Sequence, residues 1–114
     1  MSAITTHVLD LVAGGPAKGV AVSLWRRDSG DSWVHLADGH TDDDGRVSDL
    51  LSEGGLGEPG VHRLSFGVGE YFAARGEPTF YPSVDITFAV EDTAEHYHVP
   101  LLLSRFGYST YRGS

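Results

Sequence analysis

The tightest constraint on this chain is a period of two. Val84, Ile86, Phe88 and Val90 alternate with Asp85, Thr87, Ala89 and Glu91. That is the pattern of a strand with one face buried and the other wet. Val20, Val22 and Leu24 alternate in the same way with Ala21, Ser23 and Trp25, as do Leu64, Phe66 and Val68 with Arg63, Ser65 and Gly67. Fifteen glycines and five prolines cut these runs short. Short alternating runs between dense turn signals define an all-β sandwich or barrel.

Further strands are expected over Ile4 to Leu11, Trp33 to Thr41, Val47 to Leu51, His96 to Ser104 and Tyr108 to Tyr111. The turns between them fall at Gly14 to Gly19, Asp28 to Asp31 and Thr41 to Arg46. Ser52 to Gly60 is too rich in glycine for regular structure. The stretch from Gly69 to Gly76 (GEYFAARG) is the one expected helix: it lacks β-branched residues and stops before Pro78. Two turns must lean on a sheet to persist. At 114 residues the chain suits a single domain over residues 1–114.

The charges, 8 basic minus 16 acidic, give −8. A chain this acidic offers no electrostatic footprint for nucleic acid or an anionic membrane. With no cysteine, disulfides, thiolate metal sites and a cysteine nucleophile are excluded. MSAITTHVLD has neither the basic start nor the apolar run of a secretory signal, so the expected location is cytoplasmic.

Two runs break the rule of one wet face. In His96 to Ser104, Tyr97, Val99, Leu101 and Leu103 share the core side, while His96, His98, Pro100 and Leu102 share the other. In the first strand Ile4, Thr6 and Val8 face one way, and Thr5, His7, Leu9 and Leu11 the other. Apolar groups on both faces mean that both are covered. A sandwich of this size covers one face of each sheet. His7 and His98 are therefore expected on an outer sheet face, near a subunit interface.

GLGEPG (Gly55 to Gly60) fits G-x-G-x-x-G, but a dinucleotide site needs a strand before it and a helix after it, and here a strand follows. With Gly45 at position six of a calcium loop, His40 and Leu51 fall where acidic ligands belong, so Asp42, Asp43 and Asp44 read as a solvated loop. His96 and His98, two apart, with His7 as a third ligand, leave a zinc site open. His35, His40 and His62 read as surface groups or satisfied hydrogen-bond partners. Arg46 either balances the aspartates before it or presents a fixed guanidinium to a carbonyl oxygen or anion. Tyr111 and Arg112 directly after a strand point to an ordered end, which brings the hydroxyl and carboxylate of Ser114 to a site.

Together these stretches resemble the 5-hydroxyisourate hydrolases of the transthyretin-related family. THVLD (Thr6 to Asp10), the GxPAxGV pattern of Gly14 to Val20, TDDDGR, GEYF (Gly69 to Phe72), FYP (Phe80 to Pro82), HYHVPLLLS (His96 to Ser104) and GYSTYRGS (Gly107 to Ser114) carry the likeness along nearly the whole chain. Arg105 stands where the family usually has proline. The resemblance implies an all-β, transthyretin-like two-sheet β-sandwich of seven to eight strands with one short helix. It implies hydrolysis of 5-hydroxyisourate to 2-oxo-4-hydroxy-4-carboxy-5-ureidoimidazoline in urate breakdown, with no cofactor. It assigns catalysis to His7, Arg46, His98 and Ser114, and substrate binding to Tyr111, Arg46 and Ser114. His96 matches the signature without an assigned role. The implied assembly is a homotetramer with its sites at the dimer–dimer interface. The alternative is a tetramer of the same fold that binds a small ligand or a metal without catalysis.

Overall fold

The computed structural model describes residues 3–47, 50–51 and 58–114. Among them the chain forms β1 (Ile4–Asp10), β2 (Gly15–Pro16), β3 (Ala21–Arg27), β4 (Trp33–His40), β5 (Arg46–Val47), β6 (Gly60–Phe66), α1 (Val68–Ala74), β7 (Val84–Val90), β8 (Tyr97–Leu103) and β9 (Tyr108–Thr110). One sheet runs β2-β1-β8-β9 with β5 also on β1, and the other runs β4-β3-β6-β7. The two expected-apolar faces meet between the sheets, where Val8, Leu24, Leu64, Phe66 and Leu101 are all but sealed from solvent.

This is a sandwich, one of the two architectures that the alternation allows and the one that the resemblance implies. The nine strands include two of only two residues each, β2 and β5, which no period-two argument can detect. β5 occupies the start of the strand expected over Val47 to Leu51; residues 48 and 49 lie outside the described residues, as does most of the glycine-rich stretch with its G-x-G-x-x-G match. The strand expected through Val68 ends at Phe66. Gly67 precedes α1, and Val68 is the first of three helix residues, with Tyr71 and Phe72, that are buried. The spacing i, i+3, i+4 puts all three on one helical face, so burial of the helix stripe outweighs continuation of the strand.

α1 is fixed to β1 by a buried carboxylate. Tyr71 donates its hydroxyl to Asp10 Oδ2 at 2.7 Å, and the backbone N–H groups of Val12 and Ala13 donate to Oδ1 at 2.9 and 3.0 Å. Asp10 is fully buried, so these donors replace the water it has lost. Burial, and then the bond to Asp10, push the Tyr71 hydroxyl up to about 12.

His62 is not a surface group, and of its two readings the hydrogen-bond partner holds for one ring nitrogen only. It is fully buried, on the core side of β6 in step with Leu64 and Phe66. Its Nδ1–H donates to the Gly60 carbonyl at 3.0 Å, while Nε2 is buried without a hydrogen-bond partner among the described residues. The period-two pattern of Leu64 and Phe66, extended back by two residues, would have found it. The turn carrying Arg105 is held without proline: its carbonyl accepts from Phe80 N at 2.9 Å and Thr79 Oγ1 at 2.7 Å, and Ser104 N and Oγ both donate to Gly107 at 3.0 Å.

Two stability effects are expected. Tyr71→Phe removes a hydrogen bond to a buried charge, a loss of about 1.5–3 kcal/mol, measured as a lower urea midpoint at constant slope. Burial, with the Arg26 charge adding to it against the Gly60 bond, holds His62 below its ordinary value. The unfolded chain therefore binds the extra proton first, and stability falls as pH drops below about 6.5. His62→Leu should flatten that part of the profile of urea midpoint against pH between 7 and 5.

Candidate active site

The site begins with a turn. Asp42 Oδ1 accepts from Asp44 N at 2.9 Å and Arg46 N at 3.0 Å, while Gly45 N donates to the Asp42 carbonyl at 2.9 Å. Those donations hold the Asp42 carboxyl below its ordinary value, the Arg46 N–H contributing most. Gly45 sits at φ +76°, and a Cβ there would collide with the Val8 carbonyl oxygen, the same oxygen to which Ala17 N donates at 3.0 Å. Only glycine permits both the left-handed turn and this approach. Thr41, buried, ties the loop down by accepting from Val20 N and donating to the Ala17 carbonyl. Asp42 thus builds the turn, while Asp43 and Asp44 are exposed, as a solvated loop requires, Asp43 pairing with Lys18 at 2.8 Å on the surface.

The turn delivers β5 to the edge of β1 with Arg46 opposite His7. On the other edge β8 runs parallel to β1, with Thr5 opposite His98 and His7 opposite Pro100. Paired residues present their side chains on the same face. Thr5, His7, Arg46 and His98 therefore share the outer face of the sheet, as the alternation predicts for the two histidines. Among the described residues Arg46 makes no ion pair, so its guanidinium is not consumed by the aspartates before it.

The tail closes the arrangement. Arg112 is held by Glu95 at 3.0 Å and lies 4.6 Å from the centre of the Tyr97 ring. Gly113 then bridges to His98, donating its N–H to the His98 carbonyl at 2.8 Å. A Cβ on Gly113 would stand 2.6 Å from His98 Cδ2. Ser114 follows. A cavity of about 250 Å³ results, lined by Thr5, Thr6, Arg46, Val47, His96, His98 and Ser114.

The structure thus brings Arg46, His98, His96 and Ser114 to one cavity. His7 is the neighbour of Arg46 in the sheet. Tyr111 is not brought there within one chain: it is 58% exposed and lines a separate depression with Phe88, Val99 and Arg112. Two contributors escaped the sequence reading. Thr5 Oγ1 lies 2.8 Å from His98 Nδ1 and 3.0 Å from His96 Nε2. Gly113 supplies the bare backbone against which the His98 ring rests. Thr5 shares a face with His7 by simple alternation, but its pairing with a residue 93 positions away has no local signal.

The His98 ring is held below its ordinary value, first by burial, then by the charges of Arg46, His7 and His96, against a hydrogen bond that the ring donates to the Thr5 backbone. That direction favours the uncharged imidazole, the form that accepts a proton. Among the described residues no group of three or more His, Cys, Asp or Glu side chains is placed to hold a metal ion, so the geometry does not favour the zinc alternative. A larger depression of about 510 Å³ lies on the other sheet, among Ser23, Asp38, His40, Ser65 and Glu70. It lacks paired imidazoles and a guanidinium, and the smaller cavity is the better chemical candidate.

A two-sheet sandwich that builds a polar cavity on an outer sheet face is a transthyretin-like arrangement, and comparison with known proteins places the chain more closely. The sequence model of the HIUase/transthyretin family matches residues 4–113, and the chain belongs to that family. The 5-hydroxyisourate hydrolase of Caulobacter vibrioides is 48% identical over 118 aligned residues, covering 100% of both chains. That of Salmonella typhimurium is 47% identical over 112 residues, covering 97% of this chain and 80% of its own. Among solved structures, sea bream transthyretin in complex with thyroxine superposes with a TM-score of 0.90 at 30% identity, covering 96% of this chain and 93% of that one. The 5-hydroxyisourate hydrolase of Klebsiella pneumoniae superposes with a TM-score of 0.84 at 34% identity, covering 97% and 92%.

Gly113→Ala tests the geometry of the tail. The added methyl must push the His98 ring aside. The expected result is a folded protein whose His98 ring resonances shift while those of the core stay in place, read by NMR. Unchanged ring resonances would mean that the backbone does not set the ring.

Proposed function

We propose that this protein hydrolyses 5-hydroxyisourate to 2-oxo-4-hydroxy-4-carboxy-5-ureidoimidazoline, a step of urate breakdown. The observation that carries the reading is the gathering of His98, Arg46 and Ser114 around one cavity. The relatives named as 5-hydroxyisourate hydrolases support the choice of substrate.

In this reading water attacks the carbonyl of the N1–C6 bond. His98, assisted by His7, takes the proton from that water, and an imidazole returns a proton to the leaving ring nitrogen. Arg46 faces the oxygen that becomes negative and stabilises it where little water screens the charge. Ser114 holds the substrate through its hydroxyl or backbone. No cysteine exists to form a covalent intermediate.

The site is completed by other subunits of a homotetramer. A cavity of about 250 Å³ falls below the roughly 300–1,000 Å³ usual for ligand pockets, as half a shared channel would. Beside it the outer face carries half-buried Leu9 and Leu102 and the exposed Leu11, apolar surface that a second copy would cover. The separate position of Tyr111 is compatible with a contribution to a neighbouring subunit's site.

The likeness to a thyroxine-bound transthyretin supports a second reading, a small-ligand carrier. Charged and titratable groups in the cavity favour a polar purine-derived ring over an aromatic hormone. The deciding measurement is the ultraviolet decay of freshly generated 5-hydroxyisourate. Catalytic amounts of protein should accelerate it, and His98→Asn should lower kcat by about 10²–10⁴-fold with the fold retained. Decay at the spontaneous rate would sink the hydrolase and leave the carrier. Light scattering should give the mass of four chains; a monomer with full activity would remove the shared channel.

A further inference from the structure

His96 is the member of the cavity without a role, and Thr5 was not expected in it at all. The Thr5 hydroxyl stands between the two imidazoles, 2.8 Å from His98 Nδ1 and 3.0 Å from His96 Nε2. The rings lie 6.4 Å apart, centre to centre, and 27° from parallel. A hydroxyl has one proton to give and lone pairs to accept with. Between two neutral rings it therefore completes a chain that runs in one of two senses. Either His98 Nδ1–H donates to Thr5 and Thr5 donates to His96, or His96 Nε2–H donates to Thr5 and Thr5 donates to His98.

The two senses differ in chemistry. In the first, His98 carries its proton on Nδ1 and keeps the Nε2 lone pair for the cavity. In the second, Nε2 holds the proton and the ring is an acid. We propose that Thr5 is a positioning residue that selects the His98 tautomer and relays a proton between His98 and the solvent-exposed His96. The inference rests on the hydrolase reading above and deepens it.

The protons balance as follows. The attacking water gives its proton to His98 Nε2. The Nδ1 proton of that ring passes to Thr5 Oγ1 while the hydroxyl proton passes to His96 Nε2. The new positive charge thus leaves the ring next to Arg46 and His7 and settles on an exposed one. His98 now carries a proton on Nε2 alone, and gives it to the leaving nitrogen as the proton held by His96 passes back through Thr5 to Nδ1, so that no imidazolate forms. Return of the proton from His96 through Thr5 to Nδ1 restores the starting state. One ring then serves as base and as acid without holding charge for the whole interval. The charged and titratable groups facing His98 are Arg46 from β5, His7 from β1, His96 ahead of β8 and the end of the chain at Ser114. Arg46 and His7 favour outward transfer, because a second positive charge beside them is repelled, and His96 is the ring that receives it.

Thr5→Val keeps the β-branched shape on a strand and removes the hydroxyl. It should lower kcat by about 10–100-fold, within the range of general acid–base help, with a smaller change in KM. Thr5→Ser should recover most of that loss. His96→Leu should cost about as much as Thr5→Val, and the double variant no more than either. Nitrogen-15 spectra should show His98 protonated on Nδ1 in the wild type and redistributed towards Nε2 in Thr5→Val. Wild-type kcat in Thr5→Val, or losses that multiply in the double variant, would overturn the relay. If wild-type protein leaves 5-hydroxyisourate untouched, the hydrolase reading fails by itself. The spectra then decide: redistribution upholds the tautomer control, and an unchanged His98 overturns it.

Discussion

Seven residue pairs in parallel register, from Ile4 opposite Tyr97 to Asp10 opposite Leu103, join the start of the chain to a strand near its end. Most of the molecule hangs on that pairing. It is the only way in which Thr5 and His98 become neighbours, and it makes β1 an inner strand, with β8 on one edge and β5 and β2 sharing the other. Closing so long a loop costs conformational entropy before any contact repays it. The core rows of both strands supply the return: Ile4, Thr6 and Val8 on one, Tyr97, Val99 and Leu101 on the other, all buried. The buried Asp10 then extends the same strand's influence to the helix.

The site is built by backbone more than by side-chain pairing. Arg46 is placed by an aspartate that caps a turn and by a glycine that lets the turn touch β1. His98 is placed by a strand register, a threonine hydroxyl and a glycine in the tail. The consequence is electrostatic. In a chain of net charge −8, one outer face gathers a guanidinium and three imidazoles, and among the described residues no carboxylate side chain lines the cavity they surround. Burial first, and then these neighbours, hold the His98 ring below its ordinary value.

Much of this was legible in the chain itself, for a physical reason. Period-two alternation reports burial residue by residue, so the cores of β3, β7 and β8 and the outward placing of His7 and His98 could be read directly. Two-residue strands carry no period: β2 was invisible as a strand, while β5 overlaps an expected strand only at Val47, and its Arg46 stood out through the TDDDGR motif instead. Val68 continued an alternating pattern and yet begins a helix, because its burial satisfies either period. His62 was misplaced by residue type, although its position in the pattern was right. The bridge from Thr5 to His98 and His96 belongs to tertiary structure and could not be seen in any window of sequence.

The alternation of β1 has a further meaning for how this protein can change. Odd positions of the strand, Thr5 and His7, face the candidate site, while even positions, Ile4, Thr6, Val8 and Asp10, serve the core. A single inserted or deleted residue would exchange the two sets, driving an imidazole inward and an aliphatic chain outward. Drift in length is therefore closed to this segment, whereas loops such as Asp28 to Asp31 are free to vary. A side chain at an odd position can be exchanged without touching the packed interior, whereas each even-numbered one is hemmed in by it.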